Sequence, residues 1–312
     1  MTKGRQKKYP HLSRVYVLIL GVVLLMWTML PSTLCAEELR LLSSIEPVNK
    51  LVAEIAGEQH SRAVLWRKNQ SVHSVSFKPS QIRAVAEADL IFWVGPMLET
   101  PLAALLESNG LHGKSVRLAT PRAYYLKHGK GVREDVCVQD WHECDPHIWF
   151  GNADVMAEEI TKAFLEHDPD NAELYNRNFE LFKEKSMQSL LGKVRRGRQS
   201  PKNILALHNG WQYLGVQGYE IFSEHGFEYI GAKSALELER KLKTQNVDCV
   251  LVGPMTRLAL LENILSDVDQ RPPLLILDPM GSDYPAHTSF FDYLELSRQS
   301  IRQCKIVLSI TE

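Results

Sequence analysis

From about Asp170 to Val194 the chain runs without a proline and meets no glycine before Gly192. Leu174, Phe179, Leu181, Phe182, Met187, Leu190 and Leu191 are spread among many charges there. The stretch predicts one helix of about 24 residues, about 36 Å long at 1.5 Å per residue. A rod the length of a small domain, set in mid-chain, divides everything else into two halves. It is either a stiff strut between two lobes or one arm of a helical hairpin packed on a single domain.

Both halves alternate short apolar runs with amphipathic stretches, the pattern of βαβ units and parallel sheets. The first half predicts strands at Leu39–Ser44, Ala63–Trp66, Leu90–Val94 and Ser115–Ala119, with helices over Pro47–Gly57, Pro79–Ala88 and Leu98–Ser108. Pro47 and Pro79 suit a first helical turn. A further helix follows Asn152, a good N-cap, and breaks at His167-Asp168-Pro169-Asp170. The second half predicts strands at Asn203–Leu207, Phe227–Ile230, Val247–Val252 and Leu274–Leu277, separated by helices over Trp211–Gly218, Ala235–Asn246, Thr256–Ser266 and Ser289–Leu308. The fold class is α/β, two parallel-sheet (β/α) lobes joined by a long backbone helix. The expected division is a signal peptide at 1–36, an N-terminal lobe at 37–168, a linking helix at 169–200 and a C-terminal lobe at 201–312.

The signal is read from Lys3, Arg5, Lys7, Lys8 and Arg14 ahead of an apolar run from Val15 to Leu30, then Thr33-Leu34-Cys35-Ala36 as a small-residue cleavage region. The run is short for a bilayer span and ends at Pro31. Leu34 before Cys35 does not suit a lipidation site, so the expected location is the periplasm. Cleavage removes those basic groups from a chain of formal charge −1 and leaves a mildly acidic protein. No basic stripe with interleaved aromatics points to nucleic acid, and Arg195-Arg196-Gly197-Arg198 reads as a solvated segment end. In an oxidising compartment Cys137, Cys144, Cys249 and Cys304 can pair. A Cys249–Cys304 bridge would tie the last helix to a buried strand, and Cys137 with Cys144 would close a polar loop, but spacing does not fix the connectivity.

The candidate ligands are His73, His147, His208 and Asp278, separated by long intervals that no zinc finger or knuckle has. His73 lies in the loop before the Lys78-Pro79-Ser80 helix start, and His147 sits in Asp145-Pro146-His147-Ile148-Trp149. His208 and Asp278 end the apolar runs Ile204–Leu207 and Leu274–Leu277. Open α/β sheets bind ligands at such carboxyl strand ends, and two lobes closing together could bring all four to one cleft. Any one of them, taken singly, is more often a cap or a turn residue. Three imidazoles and a carboxylate suit a divalent ion of zinc type. Pro146 restricts the backbone before His147, and Trp149 could wall the site from water.

These runs, with Leu90-Ile91-Phe92-Trp93-Val94-Gly95-Pro96, Leu207-His208-Asn209 and Leu277-Asp278-Pro279-Met280-Gly281, resemble the ZnuA-type zinc receptors of ABC uptake systems over most of the mature chain. The resemblance implies a non-catalytic, monomeric periplasmic receptor. It would hold Zn²⁺ as transported ligand between lobes through His73, His147, His208 and Asp278, and deliver it to an ABC permease in the inner membrane. A histidine at the third ligand position is similar to the zinc branch rather than the manganese branch. The resemblance also implies a Cys249–Cys304 disulfide.

The chain departs from that pattern in several places. Gly253-Pro254 stands where the family usually has Glu-Pro, Ser74 stands where an acidic residue is common, and Gly226–Leu236 is short. In place of a long histidine-rich insertion there is only Tyr124–Glu143, with His128 and His142. His142, Glu143 and Cys144 form either an auxiliary metal site or, by preference, a plain exposed loop. The alternatives are a receptor for manganese or another divalent metal, a zinc hydrolase, or an adhesin on the same fold. Against the hydrolase, four protein ligands leave no open position for water, and neither His-Glu-x-x-His nor Gly-x-Ser-x-Gly occurs. Gly110-Leu111-His112-Gly113-Lys114-Ser115 lacks phosphate-loop spacing and reads as a turn into a strand.

Overall fold

Strands β3 (Leu90–Trp93) and β7 (Cys249–Val252), and β1 (Arg40–Ser43) after its exposed first residue, are apolar or small-residue runs with every side chain buried. That is the signature of strands covered on both faces of a parallel sheet. β2 (Ser61–Val64) alternates exposed and half-buried residues, and β4 (Ser115–Arg117) is half-buried throughout, as edge strands are. The computed structural model describes residues 38–66, 70, 72, 76–120, 153–196, 203–208, 210–211, 219–222, 231–285 and 287–304.

Among these residues two four-stranded sheets form, β2-β1-β3-β4 and β6-β5-β7-β8, where β5 is Ile204–Ala206, β6 Tyr219–Ile221 and β8 Leu274–Ile276. Every pairing is parallel. The two orders are the same, each reversing direction between its first and third strand in sequence. Those reversals are the switch points where open sheets leave a crevice at their carboxyl ends.

Helices α1 (Glu46–Ala56), α2 (Pro79–Glu87) and α3 (Thr100–Ser108) each carry proline in the first turn, where its missing N–H costs nothing. α4 (Ala153–His167) and α5 (Ala172–Arg196, 25 residues) are joined by a turn at Pro169–Asn171. The second sheet is served by α6 (Ala232–Thr244), α7 (Leu258–Ser266) and α8 (Phe290–Gln303). Ser289 caps α8 by accepting from Asp292 N at 3.1 Å.

The long helix is both a strut and a packed element. Its Tyr175 stacks on Phe164 of α4, with ring centroids 4.6 Å apart. Its Asn178 donates to Ile55 O of α1 at 2.8 Å, and Phe182 lies 4.9 Å from Phe291 of α8. One apolar cluster therefore runs from Leu41, Val48 and Phe92 in the first half to Ile204, Leu251, Phe290 and Tyr293 in the second. A smaller cluster, with Leu205, Leu238, Val250 and Leu261, covers the other face of the second sheet. A shared core of this kind holds the halves far more firmly than a polar hinge would.

A polar chain pins the start of β1. Leu39 N donates to His60 Nδ1 at 3.3 Å, His60 Nε2 lies 2.7 Å from the Tyr175 hydroxyl, and that hydroxyl donates to Asp168. The Cys249–Cys304 disulfide forms, with Cα atoms 6.2 Å apart, and ties the end of α8 to β7. The expected strand at Phe227–Ile230 and nearly all of the expected helix at Trp211–Gly218 lie outside the described residues, as do the signal at 1–36, Cys137, Cys144 and the chain beyond Cys304. β6 lies at Tyr219–Ile221, within the interval between those two segments. Among the described residues, no helix is long and apolar enough to cross a membrane.

Candidate metal centre

His208 stands two residues beyond β5 and Asp278 two beyond β8, both at the carboxyl edge of the second sheet. Leu207 N still donates to Leu251 O at 2.9 Å and Leu277 N to Val252 O at 3.0 Å, so each candidate follows the last pinned residue of its run. The half-buried His208 ring accepts the Gly210 N–H at Nδ1, 2.9 Å away. In that arrangement the neutral ring carries its proton on Nε2. Trp211, almost wholly buried, meets the ring edge-on at 6.0 Å between centroids.

Asp278 is buried and begins a tight turn. Its Oδ1 accepts from Met280 N at 2.8 Å and its Oδ2 from Ser282 N at 2.9 Å. The side chain thus performs the turn role that a strand-ending aspartate commonly has, and its remaining lone pairs can still take a cation. Gly281 completes the turn at φ +66°, where a Cβ would stand 2.8 Å from the Tyr293 ring. That requirement explains the glycine of the Asp-Pro-Met-Gly run.

Gly210 joins the two candidates. A Cβ there would lie 2.8 Å from His208 Nδ1 and 3.0 Å from Pro279 Cβ. Only a glycine lets the imidazole and the turn bearing Asp278 close on the same backbone. Gly253, where the family pattern has a glutamate, faces the Trp211 ring, with its missing Cβ 3.9 Å from Cη2. His73, His147 and Trp149 lie outside the described residues, as do Ser74, His142, Glu143 and Cys144. Among the described residues, no three His, Cys, Asp or Glu side chains gather as a metal cluster.

At the switch point of the first sheet sits a carboxyl that the sequence reads only as a helix start. Glu99 is fully buried and turns back to accept from Gly95 N at 2.8 Å and Val94 N at 3.3 Å. Burial pushes its carboxyl up to about 7, against the opposing pull of the Gly95 N–H, the Ser44 hydroxyl and the Val94 N–H. The one sequence signal for it is an acidic residue inside the apolar stretch Met97–Leu106.

Two parallel sheets of equal order, bridged by a long helix, make a two-sheet α/β receptor architecture with two candidate metal ligands at carboxyl strand ends of the second sheet. The chain belongs to the ZnuA family, zinc-uptake complex component A, periplasmic, whose model matches residues 42–304. It is 23% identical to the high-affinity zinc uptake system protein ZnuA of Brucella abortus (strain 2308) over 293 residues, covering 81% of this chain and 87% of that protein. It is 27% identical to the iron-binding protein YfeA of Yersinia pestis over 154 residues, 48% of this chain and 46% of that one. The periplasmic zinc-binding protein TroA of Treponema pallidum shares the fold at a TM-score of 0.70 and 14% identity, covering 86% of this chain and 99% of that one. The protein is thus an extracytoplasmic metal-binding receptor for ABC uptake, and the family is one of solute receptors, not enzymes.

Proposed function

We propose that the protein captures one Zn²⁺ through His73, His147, His208 and Asp278 and hands it to an inner-membrane ABC permease. In this reading it is a periplasmic monomer released by cleavage near Ala36, with lobes at 37–168 and 201–312 linked by the helix at 169–200. The observation that carries the reading is the Gly210 backbone against both the His208 ring and Pro279, which brings an imidazole and a carboxylate to one sheet edge. Three nitrogens and one oxygen in a closed set match the ligand preference of zinc. A ring that spends its Nδ1 lone pair on Gly210 N–H is not ready to ligate through Nε2. Metal capture at His208 therefore begins by opening that hydrogen bond, a small reorganisation within the site.

Iron, manganese or another divalent metal is the second reading, and the partial identity with the Yersinia iron-binding protein favours iron among them. Calorimetry on the metal-free mature chain separates the two. The proposal expects one tight Zn²⁺ per chain, weaker Mn²⁺ and Fe²⁺, and large losses in His147→Ala and His208→Ala. Absence of saturable zinc binding, or binding indifferent to both substitutions, contradicts it.

A further inference from the structure

Lys50 is buried on α1, its side chain only 1% exposed. It sits among Val48, Leu51 and Val52, each 0% exposed. An ammonium taken out of water is costly unless its donors are answered, and here the partners come from the far half of the chain. Lys50 Nζ donates to Thr288 O at 3.1 Å and Pro285 O at 3.3 Å, with Glu46 Oε1 at 3.5 Å on its own helix. One turn further along α1, Glu54 Oε1 accepts from Phe290 N at 3.2 Å, the first residue of α8. Its Oε2 pairs with Lys185 of α5 at 2.9 Å.

These contacts seize one end of a single segment. The other end is Asp278, whose carboxylate is committed to Met280 N and Ser282 N. Between them the Tyr293 hydroxyl of α8 donates to Pro279 O at 3.2 Å, and Tyr284 packs edge-on against Tyr293 at 5.3 Å. Because Lys50 reads backbone carbonyls, it fixes where the chain runs and does not depend on the side chains at 285 and 288.

We propose that Lys50 is a positioning residue for metal capture. It is a cation supplied by the first half of the chain that clamps the Pro285–Thr288 end of the Asp278 segment, so that the aim of the Asp278 carboxylate and the seating of the two halves form one mechanical unit. The inference rests on the reading of Asp278 as a ligand.

The test compares wild type, Lys50→Met, which keeps the bulk and loses the charge, and Lys50→Arg, which keeps a cation. Hydrogen–deuterium exchange is read on the metal-free chains, and zinc release into a chelator on the loaded ones. Lys50→Met is expected to raise exchange across 279–289 while 249–252 stays protected, and to speed zinc release by about tenfold, the effect usual for residues that orient a ligand. Lys50→Arg is expected to fall near wild type. Unchanged exchange and release in Lys50→Met overturn the proposal, and so does equal loosening of 249–252, which marks a merely structural role. Should Lys50→Met fail to fold, Lys50→Leu, which likewise carries no donor, is read in the same way. The two failures are distinct: wild type that takes up no metal overturns the receptor reading, whereas tight wild-type binding that Lys50→Met leaves untouched overturns the clamp.

Discussion

Gly210 gives its amide proton to Nδ1 of His208 at 2.9 Å, and its Cα closes the gap between that ring and Pro279. A methyl at this position would push on the imidazole at 2.8 Å and on the proline at 3.0 Å. Gly210→Ala is therefore expected to displace the His208 loop, the Asp278 turn or both, and to weaken zinc binding by at least about tenfold. Calorimetry with far-ultraviolet circular dichroism as a control for folding checks it.

The Cys249–Cys304 bridge closes a loop with a sequence separation of 55 and fastens α8 to a central strand. Replacing both cysteines with serine is expected to cost about 2–4 kcal/mol of stability, mainly by freeing the unfolded chain. Urea unfolding measures the loss. Zinc stoichiometry is expected to survive, because Cys249 opens β7 at its amino end whereas His208 and Asp278 stand beyond the carboxyl ends of β5 and β8.

Glu99 makes stability depend on pH. The folded carboxyl holds its proton up to about 7, whereas the ordinary value is 4.5. The native chain thus binds a proton that the unfolded chain has released. This contribution is fully present below about pH 4.5 and is lost as pH rises through 7. Glu99→Gln removes the titrating proton and is expected to flatten that slope between about pH 4.5 and 7. Chemical unfolding from pH 5 to 8 reads the difference.

His60 pulls the other way. Burial lowers its pKa, against the attraction of Asp168, so the folded state keeps it neutral. Its contribution is present above the ordinary value of 6.5 and is lost as acid protonates the ring, which then meets the Leu39 N–H with a proton on Nδ1. Tyr175→Phe removes the hydroxyl between His60 and Asp168 and is expected to cost about 1–3 kcal/mol. Thermal unfolding at neutral pH tests the size of that loss.

Central elements were legible because burial on both faces writes itself as unbroken apolar runs. Leu90–Trp93 and Cys249–Val252 sit where the pattern put them. The edge strand β2 lies two residues earlier than the pattern suggests, at Ser61–Val64, because Leu65 and Trp66 are buried in the loop beyond it. Periodicity senses burial and not pairing. His208 and Asp278 were legible as strand ends, but the convergence through Gly210 was not, since it depends on how two loops pack. Lys50 and Glu99 read as ordinary helix charges. What makes them special is a set of backbone partners or a depth of burial that only the assembled chain supplies. The missing glutamate at Gly253 was visible in sequence, and the fold adds that the Trp211 ring lies beside the empty position.

Four-ligand zinc capture is tested most directly by a crystal structure of the mature chain with zinc bound, its metal identified by anomalous scattering. A single Zn²⁺ is expected at the carboxyl edge of the second sheet, held by His73, His147, His208 and Asp278 at about 2.0–2.2 Å, with the Gly210–His208 hydrogen bond opened. Zinc held elsewhere, or held there without His208 and Asp278, would contradict it.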